Sequence, residues 1–315
     1  MAMPDVLVAG ETLVDFLPES DTPLAGTEAF ARRPGGAPAN VAVRLAQLDR
    51  PAWFWTRVGS DPFGDFLAET LADRGVPGRF VERDPSAKTT LAFVSGDSTS
   101  GPRFTFYRDD TADTRLEPGR VPDDALDAVG WVVVGSVPLA SDPARRAVHD
   151  LVDRANARDC RVVFDLNARP ELWGDADFAA EVDRILPAVD AVKASPEDLG
   201  PAGIDGDTGD IDAVAPQLHE RGPHTVFLTL GEEGAAARAT ADAPWGPAEA
   251  SHGGYPVDVV DTTGAGDAFT AGVLDALAGG ERDLGSVLER GNAVAAASTA
   301  RAGGMADLPN PDSVV

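Results

Sequence analysis

VVDTTGAGDAFTAGVLDAL, residues 259–277, joins a glycine-rich turn to the start of an apolar helix. Gly264, Ala265 and Gly266 make the turn, and Ala268, Phe269, Ala271, Gly272, Leu274 and Leu277 follow a helical repeat after it. Backbone N–H groups at such a helix start converge on one spot, where the helix dipole adds attraction for a phosphate. An anion hole is the expectation. Asp267 falls in the first turn, beside that anion, where its carboxylate can accept a proton from a substrate hydroxyl. Phosphoryl transfer requires positioning and electrostatic stabilisation of this kind. Two rival patterns fail. A dinucleotide fingerprint, G-x-G-x-x-G, would need glycine where Phe269 stands and a place after the first strand. A P-loop would need G-x-x-x-x-G-K, and neither lysine, Lys88 nor Lys193, follows such a loop. Alone, the stretch also fits an ordinary glycine-rich helix start, so its meaning depends on the rest of the chain.

Upstream, short apolar runs at residues 5–9, 52–58, 131–134, 161–164, 191–192 and 225–230 recur, with helical stretches between many of them. Continuous apolar strands suit a parallel sheet covered on both faces, so the expected class is α/β. Most runs end in a small or polar residue: Gly10, Gly59, Gly135, Asp165, Ser195 or Gly231. Ligands in open α/β sheets bind beyond the carboxyl ends of strands, which places these residues along one crevice. Residues 13–17, 89–95 and 103–108 also read as strands, the last two joined by the turn-rich GDSTSGP at 96–102. They predict a small antiparallel sheet, formed by about residues 12–34 and 88–112, as a lid on a single domain spanning 1–315; an edge hairpin is the plainer reading. Period-2 geometry puts Phe104, Phe106 and Arg108 on one face of their strand and Thr105 and Tyr107 on the other. Residues 200–212 read as a solvated acidic loop, and no internal repeat is visible.

A chain of 315 residues can bury roughly 75% of its unfolded surface, enough for a large core. Its formal charge of -26 excludes nucleic acid and anionic membrane surfaces as expected partners. Asp outnumbers Glu 37 to 15, and Arg outnumbers Lys 24 to 2. A GC-rich genome accounts for the scarce lysine but not for the aspartate, which fits a very salty cytoplasm where carboxylate repulsion is screened. Cys160 stands alone and the four histidines (149, 219, 224, 252) lack zinc spacing, so any metal is expected on oxygen ligands. The first fifteen residues carry acids and no basic run, and no apolar stretch approaches a membrane span. A soluble, cytoplasmic protein is expected.

Near the N-terminus, Gly35-Gly36-Ala37-Pro38-Ala39-Asn40 enters a helix whose Val41, Leu45 and Leu48 have core spacing. Paired glycines allow close backbone approach to a ligand, Pro38 suits a first-turn position, and Asn40 offers donor and acceptor to a sugar hydroxyl. Residues 59–64, GSDPFG, read as a turn into the helix containing Phe66, Leu67 and Leu71.

GGAPANVAV, VGSDPFGDFL, FDLNARPELWGD, VKASPEDL, TLGEEGAAA and DTTGAGDAFTAGVL occur in the order found in the ribokinase-like, PfkB family of sugar kinases, which the chain resembles from about Gly10 to its C-terminus. GETLVDF, the FYR of residues 106–108 and D-x-N-x-R-x-x-LW resemble its fructokinase branch. The resemblance implies a ribokinase-like fold and an ATP- and Mg²⁺-dependent kinase acting on a primary hydroxyl of a ketohexose, with fructose first. It implies Asp267 as the catalytic base, with Gly264, Ala265 and Gly266 as the anion hole, and Asp15, Gly35, Gly36 and Asn40 as sugar ligands. Thr229, Gly231, Gly234 and Asn292 would surround the nucleotide, with Ser195 nearby. Asp261 and Thr263 match positions that in many relatives help hold K⁺. A homodimer through the lid sheets is also implied.

One departure concerns the metal. Where many relatives carry N-x-x-E, this chain has Ser195-Pro196-Glu197-Asp198, leaving either Asp198 or Glu197 to orient magnesium-bound water; an ordinary N-cap and first-turn acid are equally compatible with S-P-E-D. Arg108 and Arg169 match arginines that face an acid-sugar carboxylate in the related 2-keto-3-deoxygluconate kinases, so that substrate is the main alternative. A nucleoside kinase and a catalytically silent sugar sensor are the others.

Overall fold

The structure is a computed structural model that describes residues 3–19, 23–95, 103–173 and 177–315; the GDSTSGP connection lies outside them. In chain order the strands are β1 (Val6–Ala9), β2 (Leu13–Pro18), β3 (Phe30–Gly35), β4 (Trp53–Gly59), β5 (Val81–Asp84), β6 (Leu91–Ser95), β7 (Arg103–Tyr107), β8 (Trp131–Gly135), β9 (Arg161–Asp165), β10 (Ala191–Ala194), β11 (Thr225–Thr229), β12 (Ala235–Ala239) and β13 (Ala248–His252). The helices are α1 (Ala37–Gln47), α2 (Pro62–Asp73), α3 (Asp123–Leu126), α4 (Ala144–Asn156), α5 (Phe178–Ile185), α6 (Pro196–Leu199), α7 (Ile211–His219), α8 (Ala265–Ala278) and α9 (Leu284–Thr299).

Nine strands form one sheet in the order β13-β12-β11-β10-β9-β8-β1-β4-β5. From β11 to β5 all neighbours are parallel, while β12 and β13 add an antiparallel edge. Alternation along each strand divides two cores. Leu7, Ala9, Val132, Val134, Val162 and Phe164 face α4, α5 and α7, whereas Val6, Val8, Trp131, Val133 and Val163 face α1, α8 and α9. Both faces are dry, as parallel strands reached through helical crossovers require. The order turns back at β1, whose carboxyl end meets that of β8 on one side and β4 on the other. A crevice opens there.

The smaller sheet has the order β3-β2-β6-β7 and is mixed rather than antiparallel, because β2 and β6 run parallel. Expecting an antiparallel arrangement overlooked β3 and the intervening α1 and α2, which return the chain to this sheet in the same direction. Its inner face carries Asp15, Arg33, Val94, Phe104 and Phe106 toward the crevice. The outer face carries Phe16, Phe30 and Phe93, with Phe16 and Phe93 stacked at 5.0 Å and Tyr107 meeting Phe93 at 5.5 Å. Among the described residues no helix is long and apolar enough to cross a membrane.

Candidate active site

Strand ends and one helix start supply the site. β1 leads to Glu11, β9 leads to Asn167 and Arg169, β10 carries Lys193 and leads to Ser195, and β11 ends at Thr229. The smaller sheet adds Asp15 and Arg33 from above, and the glycine turn before α8 closes the floor. Together they line a crevice of about 710 Å³.

Gly264 adopts the left-handed conformation, φ 78°, and a Cβ there would come within 2.8 Å of Gly304 Cα, so the turn before α8 needs glycine. No side chain caps this helix, although the Ala265 N–H donates to Thr262 O at 3.1 Å. The other first-turn N–H groups give the crevice floor its positive end. Asp267, in the first turn of α8, is half-buried, and its Oδ2 accepts a 2.7 Å hydrogen bond from Asn40 Nδ2. Burial raises the Asp267 carboxyl above its ordinary pKa, while Asn40, Lys193, Arg169 and Arg44 oppose that rise.

Lys193 is buried inside β10, with Nζ 3.3 Å from Asp165 Oδ1 and 3.2 Å from where a Cβ on Gly266 would lie. Burial disfavours its charge, but Asp165, Asp198 and Asp267 outweigh this and hold the ammonium above its usual pKa. A fixed cation thus stands beside the helix start. Asp165 itself is pushed up to about 6 by burial, against the pull of Lys193.

On the smaller sheet, burial pushes Asp15 up to about 7 despite the nearby Arg169 guanidinium. Gly35 packs its α-carbon against the Asp15 carboxylate, and Gly36, φ 104°, leaves no room for a Cβ, which would lie 2.6 Å from Glu11 O. Arg169 lines the crevice with its guanidinium 5.8 Å from the Phe104 ring centroid. Arg108 is placed differently. It is 8% exposed, does not line the crevice, and donates from Nε to Asp113 Oδ2 at 2.7 Å within a cluster that includes Thr90 and Thr111. Nε is thus engaged inside the protein, while Nη2 is buried without a hydrogen-bond partner.

Ser195, Thr229, Gly231, Gly234 and Asn292 line the other half of the crevice. Gly231 (φ 63°) and Gly234 (φ 83°) form the bend between β11 and β12, and Gly234 packs against the backbone of His252 and Gly254. Asn292, 6% exposed, donates to Leu288 O at 2.9 Å. Asp198 accepts from Ala168 N at 2.7 Å, Ser195 N at 2.8 Å and Ser195 Oγ at 2.6 Å, a capping box that occupies both its oxygens. Glu197 beside it is exposed and also lines the crevice. Among the described residues no group of three or more His, Cys, Asp or Glu forms a metal cage. An exposed carboxylate in such a crevice suits a hard cation held largely by water. Asp261 accepts from Thr263 N and Gly303 N, each at 2.9 Å.

Three further crevice residues escaped the sequence reading as site groups. Lys193 carried a usable signal, a lone charge inside the otherwise apolar AVKA of β10. Glu11 is 3% exposed with Oε2 unpartnered, and burial pushes it up to about 7. Its position after Gly10 in GETLVDF was visible, its burial was not. Arg33 sits in the ordinary-looking FARRPG of β3 and carried no signal.

Comparison with known proteins follows this geometry. Residues 3–311 match the profile of the pfkB family of carbohydrate kinases. A fructokinase from Klebsiella pneumoniae is 36% identical over 274 residues, 87% of this chain and 84% of that one. A fructokinase from Vibrio alginolyticus is 33% identical, covering 98% of this chain and 96% of its own. The crystal structure of a fructokinase with bound ATP from Xylella fastidiosa superposes with a TM-score of 0.86 at 30% identity, covering 98% and 96% of the two chains. A fructokinase double mutant from Vibrio cholerae O395, with fructose, ADP and potassium ion bound, superposes with a TM-score of 0.82 at 30% identity, covering 99% and 97%.

Proposed function

The chain belongs to the pfkB family of carbohydrate kinases and is a sugar phosphotransferase, and from that premise we propose that it transfers the γ-phosphoryl group of ATP to a primary hydroxyl of fructose. The observation that carries this reading is the placement of Asp267: a carboxylate at the start of α8, held by Asn40 at 2.7 Å, in a crevice that Asp15 and Thr229 also line. In this reading Asp15, Gly36, Asn40 and Arg169 bind the sugar, with Gly35 backing the Asp15 carboxylate. Ser195, Thr229, Gly231, Gly234 and Asn292 surround the nucleotide. The exposed Glu197 faces the water shell of Mg²⁺, and Asp198 holds Ser195 in place. When bound, the divalent ion neutralises charge on the nucleotide phosphates.

The chemical step follows from these positions. Asp267 accepts the hydroxyl proton as the sugar oxygen bonds to the γ-phosphorus, and the bond from that phosphorus to the bridging β–γ oxygen breaks to leave ADP. The first-turn N–H groups of α8 and the Lys193 ammonium stabilise the charge spread over the equatorial phosphoryl oxygens. The smaller sheet acts as a lid whose Phe104 and Phe106 exclude water, which limits hydrolysis of ATP.

Fructose is favoured over an acid sugar because Arg108, one of the two arginines that would meet a carboxylate, donates to Asp113 and does not line the crevice. Sugar-dependent ADP release, measured across fructose, 2-keto-3-deoxygluconate, ribose and nucleosides, tests this. Highest kcat/KM on fructose is expected, and highest kcat/KM on the acid sugar would reverse the choice. Absence of turnover with every member of the panel would favour a sensor. Phosphorus NMR of the product distinguishes 1- from 6-phosphorylation. The outer lid face, with Phe16, Phe30, Phe93 and a 60% exposed Tyr107, fits a second copy of the chain. Light scattering is expected to give a dimer that Tyr107→Glu dissociates.

A further inference from the structure

Arg33 and Asp15 are direct cross-strand neighbours on β3 and β2, both on the crevice face. The Arg33 guanidinium is nevertheless found at the other rim, with Nη1 3.5 Å from Asp261 Oδ2 in the loop that leads into the glycine turn of α8. The same nitrogen lies 3.2 Å from where a Cβ on Gly303 would stand, so glycine at 303 makes room for the guanidinium. The ion pair therefore joins the lid to the anion-hole loop.

The pair also decides what else Asp261 can bind. A carboxylate has about four lone-pair sites. Oδ1 accepts from Thr263 N at 2.9 Å, Oδ2 accepts from Gly303 N at 2.9 Å, and the Thr263 hydroxyl and Arg33 supply the rest. Burial works against ionisation here, but these donors outweigh it and keep Asp261 below the usual carboxylate range. Asp261 is thus ionised, fully hydrogen-bonded and already neutralised by a covalently attached cation. A K⁺ ion on this carboxylate would have to displace Arg33 or share the oxygen with it. Sharing sets two positive charges within a few ångströms of each other, which is repulsive. The donor set does not fit a resident monovalent ion.

We propose that Arg33 is the fixed cation of the anion-hole loop, taking in this chain the place that a dissociable monovalent ion would otherwise fill on Asp261, so that turnover does not require K⁺.

The test compares KCl with choline chloride at one ionic strength, which separates ion identity from general screening. Two readouts are taken on the full chain: kcat/KM for ATP, and the melting temperature without substrates. The activity arm rests on the kinase reading, whereas the melting arm needs no substrate identity. The wild-type protein is expected to show the same kcat/KM and the same melting temperature in both salts. Arg33→Ala is expected to lose about two- to fivefold in kcat/KM in choline, the range a half-exposed ion pair spans. It is expected to recover in KCl and to melt higher in KCl than in choline, because a newly bound ion stabilises the folded state. Arg33→Lys should remain indifferent to the salt. Arg32→Ala is the control: it removes the same charge from the same strand, but Arg32 lies over the Phe66 ring at 4.2 Å on the opposite face, and it should stay indifferent. K⁺-specific activation or stabilisation of the wild-type protein would overturn the proposal. So would an Arg33→Ala protein that neither gains activity nor melts higher in K⁺, since the ion pair would then be a lid contact alone.

Discussion

Asn40 Nδ2 donates a 2.7 Å hydrogen bond to Asp267 Oδ2, joining the first turn of α1 to the first turn of α8 across 227 residues of chain. Both helices point their N-termini into one crevice, and α1 packs along α8. Asn40 fixes the orientation of the carboxylate and stabilises its ionised form against burial. Asp267→Asn is expected to keep sugar and ATP affinity while kcat falls about 10²- to 10⁴-fold, the usual contribution of a positioned base. Steady-state kinetics with isothermal titration of both ligands checks this. Near-normal kcat would remove Asp267 from the chemistry. Asn40→Ala should lower kcat and raise the KM for sugar together, because it loses both the orientation of Asp267 and a sugar contact.

Lys193 and Asp165 form a buried ion pair in which the cation also faces the start of α8. Lys193→Met removes a preorganised charge from the proposed phosphoryl site, with an expected loss of about 10²- to 10³-fold in kcat. It also leaves Asp165 buried without its partner, so the melting temperature should fall. The double substitution Lys193→Met, Asp165→Asn relieves that second defect. It should recover the melting temperature and leave kcat low. Recovery of both quantities together would mean that the lysine only supports the fold.

The α/β class and the position of the crevice were legible in the sequence because the parallel strands are buried on both faces. Each of the six runs read as a strand overlaps one of β1, β4, β8, β9, β10 and β11. β12 and β13, with AAARA and AEASH, escaped notice because alanine carries little strand preference and their pairing at the edge is set by β11. β3 was hidden for a different reason, since FARRPG contains a proline, a glycine and two adjacent arginines. Glycine turns are easily located, because Gly36 and Gly264 need conformations that other residues resist. Partner choice is harder. Nothing in the spacing of Arg108, Arg33 and Lys193 tells which carboxylate each will meet, since the partners lie on other elements.

Glu11 and Asp15 give the crevice a pH dependence whose sign follows from their burial. Each has a folded-state pKa of about 7, above its ordinary value, because desolvation disfavours the charged form. The folded protein therefore holds these protons more tightly than the unfolded chain. The resulting stability is fully present below the unfolded pKa near 4 and is lost as pH rises through about 7. Glu11→Gln is then expected to raise the melting temperature at pH 8 and to change it little at pH 4. The scale is about 1.4 kcal/mol for each unit of pKa displacement. The proposed sugar role of Asp15 runs the opposite way, because the ionised carboxylate is the stronger acceptor for hydroxyl groups, so kcat/KM for fructose should fall as pH drops below about 7. A melting temperature for Glu11→Gln that tracks the wild-type value at every pH would show that Glu11 is not buried as a charge.

The excess of 26 carboxylates over cations predicts a general dependence on ionic strength. Arginines such as Arg154 and Arg158 already converge on Asp123, and Arg115 meets Asp110, but every Lys and Arg engaged in this way would still leave half of the acids without a partner. Net repulsion remains among the exposed carboxylates. Salt weakens attractive and repulsive terms alike, and with this imbalance the repulsive terms dominate. Between about 0.01 M and about 1 M salt the Debye length shrinks from about 30 Å to about 3 Å, so the melting temperature should climb over that range. Screening depends on ionic strength and not on the identity of the cation. NaCl, KCl and choline chloride should therefore raise the melting temperature equally in the wild-type protein. Calorimetry in each salt checks this, and a melting temperature that is flat or falls with salt would mean that ion pairs such as Arg50 with Asp5 and Asp275 outweigh the surface repulsion.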